Sequence, residues 1–156
     1  MNATGKIQSF RDLIAWKKSV ALCSRVYEAT KTFPSDEKFG LTSQLQRASV
    51  SVPSNIAEGY ARDTTRDYIK FLWIAHGSLA EVETQLVVAT NLNYLRPETY
   101  EGLLADVHEI GRVLRALIRS LGGSHVRNAS TPIQQSSNPS SLPAGATPSP
   151  PAGENR

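Results

Sequence analysis

Apolar residues recur at steps of three and four positions through most of the first 121 residues, the periodicity of amphipathic helices. Four segments carry this pattern, and short stretches rich in Pro, Gly, Asp and Thr separate them. Nothing alternates apolar and polar residues as a half-buried strand does. The sequence therefore predicts an all-α fold, and its short connections predict antiparallel neighbours in an up-down four-helix bundle.

Capping residues, prolines and glycines predict the helix ends. The first helix is expected to open at Ser9, with Asp12 completing a capping box, and to end near Pro34. The third helix begins after Thr64 or Thr65, either of which can cap it. The fourth begins at Pro97 and ends at Gly122-Gly123.

The stripes expected to face the core follow from the same periodicity. That of the first helix comprises Phe10, Leu13, Trp16, Val20, Cys23 and Tyr27, and that of the second Leu41, Leu45, Ala48, Val52, Asn55 and Gly59. The third helix contributes Tyr68, Phe71, Leu72, Ala75, Leu79, Val82, Leu86 and Ala89, and the fourth Leu103, Val107, Ile110, Leu114, Leu117 and Leu121.

The second segment contains "SVSVPSNIAEGYAR", with a proline in the middle of a helical pattern. The apolar phase passes through Pro53 without a slip, which favours one helix kinked at Pro53 over two helices. The other interpretation begins a new helix with Pro53 in its first turn.

Polar residues form a second stripe beside the apolar one on this helix. Ser51, Asn55 and Glu58 are half turned toward the third helix, where Ser78 and Glu81 lie in the small-residue stretch "AHGSLAE". We expect these five residues to form a buried or half-buried polar layer that fixes helix register. A ligand-binding or catalytic role for them is the alternative.

Composition divides the chain into a folded part and a tail. From Gly122 onward the sequence holds six of the nine prolines and almost no large apolar side chain, so it cannot offset the entropy of ordering. We therefore expect a flexible N-terminus over residues 1–8, a bundle over residues 9–121 and a disordered Pro/Ser/Gly-rich tail over residues 122–156. The single cysteine, Cys23, is expected to be a packing residue. One cysteine cannot form an intramolecular disulfide, which fits a reducing cytoplasm.

Charge carries information through its arrangement, because a net charge of +3 is mild for 156 residues. Arg112, Arg115 and Arg119 share one face of the fourth helix, and no acid follows Glu109 there. A second basic line recurs every seven residues in the first helix, at Arg11, Lys18 and Arg25. The two lines are expected to merge into one phosphate-binding groove, and the alternative is a solvated face that compensates the helix dipole.

Enzymatic motifs are missing from the sequence. A di-metal site in a helical bundle uses a Glu-x-x-His pair on each of two helices, and neither His76 nor His108 follows a glutamate at that spacing. No Gly-rich phosphate loop, zinc-protease motif or nucleophile elbow occurs. We expect no enzymatic activity, no metal and no cofactor. The N-terminus lacks the apolar run of a signal peptide, and no stretch is long and apolar enough for a membrane span.

Three blocks carry a family resemblance, namely "FRDLIAWKKSVAL", "FPSDEKFGLTSQLQRASVSVPSNIAEGYAR" and "YIKFLWIAHGSLAEVETQLVVATNLNYL". Together they resemble the bacterial four helix bundle proteins, also called 23S ribosomal RNA intervening-sequence proteins, over about residues 8 to 121. The resemblance implies a four-helix bundle. Family members are similar to the accessory protein of diversity-generating retroelements, a homopentamer that binds RNA and a reverse transcriptase.

Two hypotheses for function follow. The first is a cytoplasmic, non-enzymatic, homo-oligomeric module, pentameric by resemblance, that binds RNA or a ribonucleoprotein through basic helix faces. The second is an oligomeric scaffold that binds a protein, such as a reverse transcriptase, without touching nucleic acid. Salt-dependent binding to generic RNA separates them, because phosphate contacts release counterions.

Overall fold

The computed structural model describes residues 7–123. The predicted flexible N-terminus and disordered tail lie outside these residues, except for residues 7–8 and 122–123. Within residues 7–123 the chain forms four α-helices and no strand. The helices are α1 (Ile14–Thr30), α2 (Leu41–Tyr60), α3 (Thr65–Asn91) and α4 (Pro97–Ser120), with short 3-10 turns at Phe10–Asp12 and Ser35–Phe39.

Each helix packs against its neighbours in sequence, and α1 also packs against α4, which closes the bundle. Neither diagonal pair, α1 with α3 or α2 with α4, is in contact within residues 7–123. This arrangement confirms the predicted all-α, up-down four-helix bundle.

The core is continuous across the four helices and consists mainly of Leu, Val, Ile and Ala. Its largest fully buried side chains are Leu22, Leu45, Ile56, Leu72, Leu86, Leu103, Ile110, Leu114, Ile118, Val26, Val52 and Val82. The predicted stripe of α3 matches its buried face closely, with Ser78 buried as well. On α4, Ile118 is buried where Leu117 and Leu121 were expected, and those two leucines are half-buried.

The prediction for the first helix is wrong in its start and in its phase. Ser9 caps the 3-10 turn with Asp12, but Leu13 then adopts an extended conformation, so α1 begins at Ile14. The buried face of α1 comprises Ala15, Ser19, Leu22, Val26 and Thr30. Val20 and Tyr27, expected in the core, are 38% and 46% exposed. The predicted stripe and the buried stripe lie side by side on this helix. The buried stripe was not recognised because Ala15, Ser19 and Thr30 in it are small or polar.

One continuous helix runs through Pro53, which confirms the single-helix interpretation of the second segment. Proline has no amide hydrogen, so the carbonyl of Ser49, four residues earlier, lacks its helical donor. The Cys23 thiol of α1 donates to that carbonyl, with Sγ 3.0 Å from the Ser49 oxygen. The carbonyl freed by the proline is therefore satisfied by a neighbouring helix.

Local chemistry sets the start of α3 and both ends of α4. Thr64 caps α3 by accepting a hydrogen bond from the Asp67 amide at 3.1 Å, and Pro97 occupies the first turn of α4. At the other end of α4 Gly122 has a φ of 81°, a conformation that favours glycine. The amides of Gly122 and Gly123 bond back to the carbonyls of Arg119 and Ile118 at 3.0 and 2.9 Å.

Candidate nucleic-acid interface

The basic face of α4 places three exposed arginines on one helix. Arg112, Arg115 and Arg119 lie within two turns of each other, and all three are exposed. No carboxylate among residues 7–123 forms an ion pair with any of them. The guanidinium groups are therefore available to an anion, and arginine's planar fork suits phosphate oxygens.

The basic face borders a groove between α3 and α4 with a volume of about 260 Å³. In this groove Nη1 of Arg115 lies 2.8 Å from Nε2 of His76. Further along, Nε2 of His108 lies 3.2 Å from a carboxylate oxygen of Glu83. Gly111 is buried between the helices, and a Cβ there would lie 3.6 Å from Nη1 of Arg115. The groove is thus cationic at the Arg115 guanidinium, and further along it the His108 ring contacts the Glu83 carboxylate.

The second basic line does not join this groove. The ammonium of Lys18 lies 3.0 Å from a carboxylate oxygen of Glu109, and Arg25 pairs with Asp106. Arg25 also donates to the carbonyl of Gly102 at 3.3 Å. These contacts connect α1 to the side of α4 that faces away from α3.

The expectation of a single merged groove is therefore wrong. The two acids of α4, Asp106 and Glu109, lie between the lines and neutralise Lys18 and Arg25. Arg11, the third member of the line, is exposed in the N-terminal 3-10 turn with its guanidinium over the Phe10 ring at 5.7 Å. Phosphate contact is better supported for the α4 arginines than for these three residues.

A polar contact between α2 and α3 is present, but it is smaller than the layer expected. The hydroxyl oxygens of Ser51 and Ser78 lie 2.9 Å apart. Asn55 donates through Nδ2 to the carbonyl oxygen of Ser51 at 2.8 Å and to its hydroxyl at 3.0 Å. Ser78 is 6% exposed, so this small network is sheltered between the helices.

Glu58 and Glu81 lie outside that network, so the expectation that they belong to the polar layer is wrong. Both are exposed. Glu58 pairs with Arg62 one turn later on α2, and the Arg62 guanidinium lies over the Phe71 ring at 4.6 Å. An ionised carboxylate is costly to bury, so these long side chains extend to solvent while the short Ser and Asn side chains fill the gap.

Other candidate groups have structural surroundings. Trp16 and Trp73 are half-buried and pack against the core. Burial raises the pKa of the Cys23 thiol above its ordinary value, which keeps it protonated at neutral pH and unlike a nucleophile. In the part of the chain from residue 7 to residue 123, no group of three His, Cys, Asp or Glu side chains is placed to hold a metal ion. No helix there is long and apolar enough to cross a membrane.

Sequence reasoning missed His76 and Glu83 as members of the groove. In the sequence His76 was considered only as a metal ligand, and Trp73 rather than a glutamate precedes it at the required spacing. Its contact with Arg115 joins residues 39 positions apart, so local spacing gives no sign of it. The pairing of Arg25 with Asp106, 81 positions apart, was missed for the same reason.

Comparisons with known proteins agree with the bundle. A family profile described as "23S rRNA-intervening sequence protein" matches residues 11–116. The chain is similar to a crystal structure of a protein of unknown function from the S23 ribosomal protein family of Bacteroides thetaiotaomicron. That similarity has a TM-score of 0.62 and 26% sequence identity, and covers 68% of this chain and 99% of the other. No curated protein matches the chain.

The family match spans α1 to α3 and most of α4, including Arg112 and Arg115. The chain belongs to the 23S rRNA-intervening sequence protein family.

Proposed function

We propose that this protein is a non-enzymatic, homo-oligomeric RNA-binding module of the bacterial cytoplasm, and that α4 makes the principal contact with phosphates. The observation that carries the proposal is the exposed arginine face of α4. Its three guanidinium groups lack carboxylate partners among residues 7–123, and the family name supplies RNA as the polyanion. An oligomer repeats this face and so multiplies a modest charge.

The experiment is RNA binding measured as a function of salt concentration. Changing Arg112, Arg115 and Arg119 together to Gln removes charge while keeping good helix propensity. We expect affinity for generic RNA at low salt to fall about tenfold or more. Each lost phosphate contact with a single strand should also reduce the slope of log affinity against log salt by about 0.7.

A matched control removes the same number of charges elsewhere. Lys38, Arg66 and Arg96 are exposed and lie off the α4 face, and none of them pairs with a carboxylate among residues 7–123. Their joint replacement by Gln should change RNA affinity much less than the α4 variant does. Equal losses of RNA affinity in the two variants would mean that binding depends only on the net charge of the protein. The assignment of the interface to α4 would then be wrong.

The second candidate function is a protein-binding scaffold, with a reverse transcriptase as one possible class of partner. Exposed apolar side chains favour it, since Val20 and Tyr27 of α1 and Val50 of α2 are all at least 38% exposed. A parent protein without salt-dependent RNA binding would support the scaffold, and the α4 arginines would then be a dipole-compensating face.

A further inference from the structure

The contact between His76 and Arg115 lets the protonation state of the histidine be inferred from hydrogen-bond chemistry. Arginine stays protonated in proteins, and its guanidinium can only donate. Because Nη1 of Arg115 lies 2.8 Å from Nε2 of His76, that nitrogen must accept through its lone pair. The imidazole is therefore neutral, with its proton on Nδ1.

The surroundings of this imidazole favour an anion. His76 is half-buried on α3 and faces α4 across the groove. The charged and titratable groups that line the groove with it are Arg112, Arg115 and His108 of α4 and Glu83 of its own helix. Glu83 contacts His108, whereas His76 contacts the guanidinium of Arg115.

We propose that His76 is a phosphate-binding residue of the RNA interface, and that RNA binding takes up one proton on its Nε2. A protonated His76 can no longer accept from Arg115, and the two cations repel each other. A phosphate oxygen between them resolves this conflict, because it accepts from the imidazolium and from the guanidinium. The proposal rests on the proposed RNA-binding function and adds a residue from α3 to it.

Linkage gives the direction of the pH effect. If RNA binds better when His76 is protonated, then RNA must also increase the proton affinity of His76 by the same factor. Affinity therefore rises as pH falls through the range in which histidine titrates, and is lowest where the imidazole is neutral. Uptake of one proton limits the gain to about tenfold per pH unit.

The test compares the parent with His76→Gln, using oligouridine as the probe because uracil gains no proton in this range. Glutamine can accept from Arg115 through its side-chain oxygen, but it cannot become a cation. Between about pH 8 and about pH 6, the parent should gain about fivefold more affinity than the variant. His108→Gln is the control, since His108 lines the same groove but contacts Glu83 rather than Arg115, and it should keep most of the pH dependence.

A second measurement needs no RNA. Nitrogen-15 chemical shifts of the His76 ring in the free protein at high pH should show the proton on Nδ1, and this preference should weaken in Arg115→Gln. A proton on Nε2 in the free parent would overturn the inference, whatever RNA does.

The outcomes separate the inference from the proposed function. A parent and a His76→Gln variant that bind oligouridine with the same pH dependence overturn the role of His76 and leave RNA binding intact. A parent that does not bind oligouridine at any pH overturns both. A pH dependence lost in His76→Gln and kept in His108→Gln, together with the Nδ1 tautomer, is the expected result.

Discussion

At the scale of single residues, Cys23 and Pro53 depend on each other although they lie on different helices. Pro53 leaves the Ser49 carbonyl without its helical donor, and the Cys23 thiol supplies a replacement. Ser49 is fully buried, so water cannot easily take the place of the thiol. The raised thiol pKa helps this role, because only the protonated thiol donates.

We expect Cys23→Ala to lower the free energy of unfolding by about 1–3 kcal/mol, since it leaves a buried carbonyl unpaired. Cys23→Ser keeps a donor on a shorter side chain and should cost less. Urea denaturation of the two variants and the parent measures the difference. Equal stability of the Ala and Ser variants would show that the hydrogen bond contributes nothing beyond packing.

Tyr68 presents the opposite situation, a buried polar atom that finds no partner among residues 7–123. Its hydroxyl oxygen is buried at the end of the bundle where Tyr68 packs against Tyr60 with ring centroids 6.0 Å apart. Tyr68→Phe removes this oxygen without opening a cavity around the ring. We expect thermal denaturation to show a variant as stable as the parent or up to about 1 kcal/mol more stable.

The same residue predicts a dependence on alkaline pH. Burial, helped by the nearby Tyr60, raises the pKa of Tyr68 from 10.0 to about 12. Between these values the folded state holds a proton that the unfolded state has lost, so stability falls as pH rises through this window. The Phe variant should lose less stability there than the parent. A steeper alkaline loss in the variant would contradict this assignment.

At the scale of elements, three of the four helices follow from their periodicity, and α1 shows where that reasoning fails. Most residues predicted for the core stripes of α2, α3 and α4 are buried. On α1 the large residues Trp16, Val20 and Tyr27 suggested one face, but Leu22 and Val26 are the ones fully buried. Only the contact partners of a helix decide between two overlapping stripes.

The sequence predicts the arginine face of the candidate site but not the pairing of its charged groups. The arginine face of α4 is local in sequence, so helical spacing suffices to find it. The partners of charged groups are distant in sequence, and they decide which cations are neutralised. Lys18 and Arg25 resemble the α4 arginines in the sequence, yet acids of α4 pair with both.

The close packing of α2 on α3 gives a test at this scale with a matched control. A Cβ on Gly59 would lie 2.7 Å from the Cβ of Phe71 and 3.2 Å from the Tyr68 carbonyl oxygen, so the helices would have to separate. A Cβ on Gly77 would have no atom within 4 Å, and Gly77 is exposed. Both glycines are inside helices, where Ala is favoured by about 1 kcal/mol.

We therefore expect Gly77→Ala to stabilise the protein by about 0.5–1 kcal/mol and Gly59→Ala to destabilise it by about 1–3 kcal/mol. Thermal denaturation followed by circular dichroism gives both values under the same conditions. Stabilisation by both substitutions would show that α2 and α3 can move apart at Gly59 without loss, contrary to the packing seen here.

At the scale of the whole molecule, α4 divides the charges of the bundle. Its side toward α1 carries Asp106 and Glu109, which neutralise the basic residues of α1. Its side toward α3 carries arginines and borders the His76 groove. A mild net charge thus becomes one concentrated positive face, and such a face attracts a polyanion more strongly than the total charge suggests.

Assembly is the last expectation, and the apolar side chains left outside the core indicate where it would occur. Leu22 and Val26 of α1 are buried in the core, whereas Val20 and Tyr27 of the same helix are exposed, as is Val50 of α2. Val20 and Tyr27 lie about one turn before and after Cys23 on α1. Val50 follows Ser49 on α2, whose carbonyl accepts the hydrogen bond from the Cys23 thiol. These three exposed side chains border the α1–α2 seam, opposite the basic groove on α3 and α4, so subunits joined there would leave the proposed RNA-binding face free.

We expect light scattering to report a mass several times the 17.0 kDa of one chain. Replacing Val20 and Val50 with Glu should reduce this mass, because charges at a dehydrated contact are costly, while the helical circular dichroism spectrum stays unchanged. Ile74→Glu is the control, since Ile74 is 42% exposed but lies on α3. If light scattering shows that the parent is a monomer, the basic groove is not repeated by assembly. RNA affinity would then have to come from a single α4 face.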